Sequence, residues 1–168
     1  MEKIVTDRIQ LSPLLTENVP EIYRIWTLPE VRKYLWDDRI VSFQETKEIV
    51  ARSIKAFDRQ EYGLWLAKLK EDLTVIGFCG YWPFFEPPQI QLIYGLDPNY
   101  WQQGLATEMA RAMIKYGFDR YKFASIYAAC DADNLASIAL MKRIDMEFDK
   151  REEEVIFYRK IKLAGIEN

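Results

Sequence analysis

The sequence predicts a mixed α/β domain in which helices cover both faces of one central sheet. Three segments with the apolar periodicity of strands follow one another at residues 62–70, 74–82 and 89–96. Strands joined by short turns pair antiparallel, whereas the helical connections that begin near residues 104 and 134 favour parallel pairing. A sheet with both kinds of connection is mixed, and we expect the whole chain of 168 residues to form a single domain with a substantial core.

The first part of the chain is predicted to form one strand and three helices, over residues 8–14, 16–27, 29–35 and 42–57. The strand alternates apolar and polar side chains. Thr16 is expected to cap the first helix, and Pro20 is tolerated in its first turn. Ser42 followed three residues later by Glu45 is the pattern of a capping box, which begins the third helix. The helical residues expected to be buried are Ile22, Ile25, Trp26, Ile49, Val50, Ile54 and Phe57.

The second part of the chain is predicted to be rich in strands. The segments on either side of Glu71 and Asp72 form a hairpin, and Pro87 and Pro88 separate this hairpin from the next strand. The other predicted elements are strands 123–130 and 155–163, a short strand near residue 148, and helices 104–120 and 134–144. Helix 104–120 has an apolar stripe, which comprises Leu105, Met109, Ala112, Met113 and Tyr116.

The composition excludes several classes of function. The net charge of −3 provides no basic excess to neutralise the phosphates of a nucleic acid. The absence of histidine excludes Ser-His-Asp and Cys-His catalysis, and two cysteines, Cys79 and Cys130, are too few for a zinc site. No apolar run reaches the ~20 residues that span a bilayer, and residues 1–8 are charged without an apolar signal core. We therefore expect a cytoplasmic protein with reduced thiols and no metal, nucleic-acid or membrane partner.

The turn between strand 89–96 and helix 104–120 is the most informative segment for function. It reads Asp-Pro-Asn-Tyr-Trp-Gln-Gln-Gly from residue 97 to residue 104. A strand, a glycine turn and a helix N-terminus together direct several unpaired backbone N–H groups to one point, which favours an anion such as a diphosphate. The turn is neither a Walker loop nor a Gly-x-Gly-x-x-Gly dinucleotide turn. A single glycine, taken alone, is more typical of a loop that only starts a helix than of a diphosphate site.

Five ordered motifs supply the missing context. They are Thr-x-Arg-(apolar)-x-Leu-x-Pro at residues 6–13, Trp-x-x-Pro-Glu-Val at 26–31, Tyr-x-(apolar)-Asp-Pro-x-(aromatic)-Trp at 94–101, Gly-x-Ala-Thr-Glu at 104–108 and Asp-x-x-Asn-x-x-Ser at 131–137. In this combination the chain resembles the GNAT superfamily of N-acetyltransferases, and most closely the branch with the ribosomal-protein N-terminal alanine acetyltransferases. The resemblance runs over nearly the whole chain and implies the GNAT fold.

The resemblance also implies acetyl-CoA as co-substrate and a direct attack by an amine in a ternary complex. In such a site the backbone at Tyr94 and Leu96 holds the pantetheine arm and polarises the thioester carbonyl. Asn134 contacts the pantetheine, and Ser137 lies near the sulfur. The implied ligands of the diphosphate are the N–H groups of Gln102, Gln103, Gly104, Leu105, Ala106 and Thr107. Asn134 and Ser137 are one helical turn apart, so both can face one ligand.

Some positions depart from the family pattern. Gln102 stands where a glycine is usual, which either narrows the diphosphate site or requires an ordinary φ angle. Asp145 replaces the glycine that ends the late helix. Gln91 occupies the position of a glutamate base, and Met141 that of a tyrosine acid. Ser137 is then the remaining candidate catalytic acid, by hydrogen bonding to the departing thiolate. Equally, its hydroxyl fits a helix residue that bonds to the backbone.

The missing base bears on the acceptor. A lysine amine with a pKa of about 10.4 is almost fully protonated at neutral pH, whereas about a tenth of α-amino groups are already neutral. We therefore expect an N-terminal α-amine, or another weakly basic amine, as the nucleophile. Glu86 and residues 152–154 are other candidate bases, although a triple glutamate more often forms a solvated loop. Residues 36–38 are the best candidates for an acceptor groove.

Two other functions stay open at this stage. A catalytically weak acyl-CoA-binding module, acting as a sensor, is compatible with Gln91, Gln102 and Met141. A purely structural α/β domain is the third interpretation. The sequence does not decide whether the acceptor is a protein N-terminus or a small molecule, nor whether the protein is a monomer or a homodimer.

Overall fold

The computed structural model describes residues 3–163. Met1 and Glu2, on which part of the expectation about location rests, and residues 164–168 lie outside that range. The strands are β1 (Ile4–Val5), β2 (Ile9–Pro13), β3 (Leu64–Leu69), β4 (Val75–Phe84), β5 (Gln89–Leu96), β6 (Ser125–Asp131), β7 (Glu147–Glu152) and β8 (Val155–Ile161). The helices are α1 (Val19–Thr27), α2 (Pro29–Leu35), α3 (Phe43–Asp58), α4 (Leu105–Asp119) and α5 (Leu135–Arg143).

Within the described range the strands form one mixed sheet in the order β1-β2-β3-β4-β5-β6-β8-β7. Every neighbouring pair is antiparallel except β5 and β6, which are parallel and joined through α4. The mixed α/β prediction is therefore confirmed. Parallel pairing across the second helical connection, from β6 through α5, is wrong. β7 runs in the same direction as β6, but β8 lies between the two strands and is antiparallel to both.

Helices pack on both faces of the sheet, as predicted. One core cluster joins α4 and α5 to the sheet through residues such as Met109, Met113 and Met141. A second cluster joins α1 and α3 to the opposite face, with Trp26 packed edge-on against Phe78 at 5.8 Å between ring centroids. The extent of the domain along the chain stays a prediction.

Two of the predicted helix caps had different outcomes. The capping box is confirmed, because the N–H of Glu45 donates to Ser42 Oγ at 3.0 Å and the N–H of Ser42 donates to Glu45 Oε2 at 2.9 Å. The cap at Thr16 is wrong, since this residue lies in a short 3₁₀ turn and α1 begins only at Val19. Asn18 closes the turn by accepting the N–H of Leu15 at 2.9 Å, which leaves Pro20 in the first turn of α1.

Burial of the predicted helical positions is uneven. Trp26 and Val50 are buried, as are Ile22 and Ile25 of α1. The partly buried positions are Ile49, Ile54 and Phe57, all on α3. The stripe of α3 therefore lies at the margin of the core, where Ser53 and Thr46 are its fully buried polar members.

Candidate active site

The turn that leads into α4 has a left-handed backbone at two positions. Gln102 has a φ of 58° and Gly104 has a φ of 77°. Of the two alternatives for Gln102, the ordinary φ is therefore wrong, because the bend that glycine usually makes is kept with a side chain in its place. The indole of Trp101 donates to the carbonyl oxygen of Leu96 at 3.0 Å, and this bond fixes the turn to the end of β5.

The backbone N–H groups of residues 102–107 face no partner within the described chain. The first helical bond of α4 runs from the N–H of Glu108 to Gly104 O at 3.0 Å, so the amides before it are unpaired. A Cβ placed on Gly104 would meet one heavy atom, Arg8 Nη2 at 3.4 Å, so the space in front of the turn is open. Unpaired amides at the positive end of a helix dipole favour an anion.

Glu108, in the first turn of α4, is held by the start of β2. Its carboxylate accepts the hydroxyl of Thr6 at 2.6 Å and the N–H and Nε of Arg8, both at 2.8 Å. Burial raises the pKa of Glu108, but the hydrogen bonds and the arginine charge outweigh it, and the net effect lowers that pKa. Arg8 also donates to the carbonyl oxygen of Gln103 at 2.8 Å, which places its guanidinium beside the turn.

A groove of about 910 Å³, lined by five cationic and three acidic residues, runs from this turn along α4. Arg111 donates to the carbonyl oxygen of Arg143 at 2.7 Å, and Arg143 donates to Thr107 Oγ1 at 3.3 Å. The guanidinium of Arg143 therefore lies at the first turn of α4, and that of Arg111 lies against the main chain at Arg143. The cationic residues that line the groove are Arg8, Arg111, Lys115, Arg120 and Arg143. Of these the sequence motifs include Arg8 alone, because the others are distant along the chain and come together only through the fold.

β5 and β6 separate from a single paired position. Gln91 pairs with Tyr127, and the following residues of β5 pair with β4 alone among the described strands. The gap between the diverging strands β5 and β6 is called the wedge, and it is closed at Gln91 and open at Leu96. At its open end the N–H of Asp97 donates to Ile76 O in β4 at 2.8 Å. Because hydrogen-bonding direction alternates along a strand, the N–H of Leu96 is directed into the wedge, where an extended ligand can use it.

The structure brings together three of the residues that the resemblance singles out. The hydroxyls of Tyr94 on β5 and Ser137 on α5 are 3.2 Å apart. The N–H of Ser137 donates to Asn134 Oδ1 at 3.1 Å, so the carbonyl oxygen of Asn134 caps α5. Burial raises the pKa of Tyr94, and the hydrogen bond with Ser137 offsets part of that rise.

Gln91 and Met141 lie on opposite sides of β5 and neither can transfer a proton. Gln91 is 2% exposed and donates to Gln89 Oε1 at 2.6 Å, whereas its own Oε1 has no partner among described residues. Ile93 packs on the side of α1 and α3, and the alternation of the strand places Gln91 there too. Met141 is fully buried in the core beneath α5.

The candidate bases proposed from the sequence lie on the surface. Glu86 is exposed, and so are residues 152–154, where Glu152 pairs with Lys150 and Glu154 with Arg151. These contacts agree with a solvated loop.

A second, acidic groove lies between α2 and the end of β6. Its volume is about 670 Å³. Burial, Asp37 and Asp133 all raise the pKa of Asp131, which is partly buried there. Two cations also line it, and Lys33 reaches Asp133 at 4.0 Å. Residues 37 and 38, two of the three acceptor-groove candidates, border this groove, whereas Trp36 packs against Trp26, and an acceptor there stays a prediction.

The two thiols are not activated. Cys79 is buried, which raises its pKa well above the usual range, and burial together with Asp131 and Asp133 raises the pKa of Cys130 to about 11. Among residues 3–163, no cluster of three or more His, Cys, Asp or Glu side chains is arranged to hold a metal ion. None of the helices in that range has the length and apolar character needed to cross a bilayer.

Comparison with known proteins gives consistent similarities. A family model described as the acetyltransferase (GNAT) domain matches residues 8–147. The uncharacterized N-acetyltransferase p20 of Bacillus licheniformis is 25% identical over 148 residues, which cover 88% of this chain and 83% of p20. An acetyltransferase of Agrobacterium tumefaciens has a similar structure, with a TM-score of 0.83, 20% identity and coverage of 96% and 95% of the two chains. RimL, a ribosomal L7/L12 α-N-protein acetyltransferase solved with coenzyme A, superimposes with a TM-score of 0.81 and 19% identity over 95% of this chain and 98% of its own.

Proposed function

This chain belongs to the acetyltransferase (GNAT) domain family, and we propose that its acceptor is the α-amine of a protein or peptide N-terminus. The chain is an acetyl-CoA-dependent N-acetyltransferase, which moves an acetyl group to an amine. Acetyl-CoA supplies the activated thioester.

The unpaired amides of residues 102–107 carry the proposal for the donor. They are open, lie at a helix N-terminus, and have the guanidinium of Arg8 beside them and that of Arg143 on Thr107. Two phosphates carry more negative charge than a helix dipole alone balances, and the arginines supply the rest. We assign the diphosphate of acetyl-CoA to this turn.

The wedge between β5 and β6 suits the arm of the donor. Its β5 edge offers backbone groups at Tyr94 and Leu96 that β4 does not use, and the amide nitrogen of Asn134 stays available after its oxygen caps α5. The N–H of Leu96 is a donor for the oxygen on which negative charge develops. Orientation of the two substrates along this edge supplies much of the rate enhancement.

The choice of amine follows from what surrounds Gln91. This side chain lies at the closed end of the wedge and cannot accept a proton. About a tenth of α-amines are neutral at about pH 7, against roughly one lysine in a few thousand, so a site without a base favours the α-amine. The acidic groove near Asp131 would attract a cationic acceptor before it loses its proton. The name of RimL refers to the same kind of acceptor, although that similarity shows the fold alone.

The attack is direct and needs no acyl-enzyme. Cys79 is fully buried and Cys130 is protonated at physiological pH, so neither thiol is a competent nucleophile. Both substrates must then be bound at the same time.

Two versions of one peptide test the acceptor. One version has a free N-terminus and acetylated lysines, the other an acetylated N-terminus and a free lysine, and a fully blocked peptide is the control. With acetyl-CoA, we expect thiol release mainly with the free N-terminus. Faster reaction at lysine would overturn the α-amine assignment. Calorimetric binding of acetyl-CoA without reaction of any amine would instead support the sensor interpretation.

A further inference from the structure

We propose that Tyr94 is a positioning residue for Ser137 and that the Tyr94–Ser137 hydroxyl pair stabilises the sulfur that leaves during acetyl transfer. This inference rests on the proposed function. Family resemblance implies a place for Ser137 near the sulfur and assigns no hydroxyl chemistry to Tyr94. The structure supplies the missing partner, because the phenol oxygen lies 3.2 Å from Ser137 Oγ.

Backbone hydrogen bonds fix the positions of both residues of the pair. Tyr94 lies opposite Cys79 in the ladder between β5 and β4. Ser137 is in the first turn of α5, where its N–H is bound by Asn134 Oδ1 at 3.1 Å. The two hydroxyls therefore meet from separate elements on either side of the wedge. Such a contact is set by the fold and not by a flexible loop.

The hydrogen bond favours the first of the two roles that the sequence left open for Ser137, a donor to the sulfur over a bond to the backbone. A serine inside a helix often donates its hydroxyl to a carbonyl of the preceding turn. Here its Oγ bonds to Tyr94, and no other described group contacts it at hydrogen-bonding distance. When Tyr94 donates, Ser137 accepts and keeps its own proton for a further acceptor. We assign that acceptor to the leaving sulfur.

The surroundings keep Tyr94 a donor. Burial raises its pKa, so the phenol stays protonated throughout the range in which an amine reacts. Cys130, the titratable neighbour on the same side of the sheet, has its pKa raised to about 11 and is neutral in that range. Met141 packs beneath α5 without a polar atom that could replace the pair. Of these side chains, Tyr94 and Ser137 are the ones with a hydroxyl to donate.

The chemical step balances without a permanent change in either hydroxyl. The amine nitrogen forms a bond to the acetyl carbon as the bond from that carbon to sulfur breaks. The nitrogen loses one proton to solvent, and the sulfur, which leaves as a thiolate, takes one proton from solvent. Ser137 donates a hydrogen bond to the thiolate in between, and Tyr94 holds Ser137 in that orientation, so both keep their protons. A donor fixed before the reaction stabilises charge without reorganisation.

Steady-state kinetics with whichever peptide of the pair reacts provides the first test. For Tyr94→Phe, which removes one oxygen, we expect kcat to fall about tenfold and the KM for acetyl-CoA to stay within about twofold. Ser137→Ala should lower kcat by at least as much. The double variant should resemble Ser137→Ala, because Tyr94 acts through Ser137. A loss in the double variant equal to the product of the single losses would overturn the positioning role.

Tyr81→Phe is the matched control for folding. Its phenol is buried and donates to the carbonyl oxygen of Met113 at 2.9 Å, outside the wedge. This variant loses a hydrogen bond of similar kind, so its stability should fall while its kcat stays unchanged. Equal losses of kcat in Tyr81→Phe and Tyr94→Phe would show that the effect is structural.

A second measurement needs no acceptor and separates this inference from the proposed function. CoA itself carries the thiol, whereas acetyl-CoA does not. If the pair stabilises a thiolate, calorimetry should show that the affinity for CoA relative to acetyl-CoA rises between about pH 7 and pH 9. We expect that rise to shrink several-fold in Tyr94→Phe and Ser137→Ala. The same rise in both variants as in the native chain would overturn the inference, even if the α-amine assignment is correct.

Discussion

The guanidinium of Arg8 lies 2.8 Å from the carboxylate of Glu108, and this ion pair joins the start of β2 to the first turn of α4. The two residues are 100 positions apart in the chain. The same guanidinium donates to the carbonyl oxygen of Gln103. Arg8 therefore fixes the end of the turn while presenting positive charge beside its unpaired amides.

Substitution of Arg8 by alanine should weaken the binding of acetyl-CoA. The variant loses a cation beside the proposed diphosphate site and a contact that fixes the turn. Because the side chain is half exposed, solvent screens part of the charge, and we expect the Kd measured by calorimetry to rise about tenfold. Arg39→Ala, which breaks an exposed ion pair with Glu45, is the control and should leave Kd unchanged. Equal affinity in both variants would contradict a role for Arg8.

Glu108 should make the stability of the fold depend on pH in the acid range. Its hydrogen bonds to Thr6 and Arg8 lower its pKa in the folded state below the unfolded value near 4.5. The stabilisation is complete above that value and is lost as the pH falls through the lower, folded pKa. Urea unfolding of the native chain and of Glu108→Gln should therefore differ most above about pH 5 and converge on acidification. Glu61→Gln, on an exposed loop, is the control for the removal of one surface carboxylate.

Gln102→Gly should stabilise the protein. A side chain in a left-handed conformation destabilises the fold by about 1–2 kcal/mol, and glycine removes that cost. The greater freedom of glycine in the unfolded chain reduces this gain by about 0.4–1 kcal/mol. With a φ of 58° at Gln102, we expect a net gain of up to about 1.6 kcal/mol in the free energy of unfolding, measured with urea. Gly104→Ala is the opposite control, since φ is 77° there and the new Cβ faces Arg8. A loss of stability with Gln102→Gly would show that its side chain supports the turn.

Local sequence patterns predicted most of the fold because helix starts and turns depend on interactions between residues close in the chain. The capping box at Ser42 satisfies its backbone groups within a few residues, the left-handed Gly104 makes the bend before α4 without a cap, and both helices begin there. The cap at Thr16 was wrong because a competing asparagine two residues later closes a 3₁₀ turn. Local preference could not choose between two suitable side chains so close together.

Contacts between distant segments could not be predicted from the sequence patterns. Tyr94 and Ser137 belong to different motifs, and nothing in either motif specifies that their hydroxyls meet. Arg111 and Arg143 look like ordinary surface cations until α4 and α5 pack together. The insertion of β8 between β6 and β7 depends on the pairing of whole strands, which a reading of connections alone does not determine.

Gln91→Glu should extend the reaction to more basic amines. The substitution places a carboxyl at the closed end of the wedge, at a position that is 2% exposed. Burial raises the pKa of such a group, so it can accept a proton from a lysine ammonium near neutral pH. We expect the ratio of kcat/KM for the lysine peptide to kcat/KM for the α-amine peptide to rise at least about tenfold.

The control for this change is Gln91→Leu, which keeps the volume without a titratable group. Both variants remove the hydrogen bond that Gln91 donates to Gln89 Oε1, so both should lose stability, and the charged form of the introduced carboxyl would cost more because it is buried. Only the carboxyl variant should change the preference between amines, since only it can take up a proton. If Gln91→Leu shifts that preference equally, Gln91 acts through the shape of the site, and the missing base does not explain the choice of an α-amine.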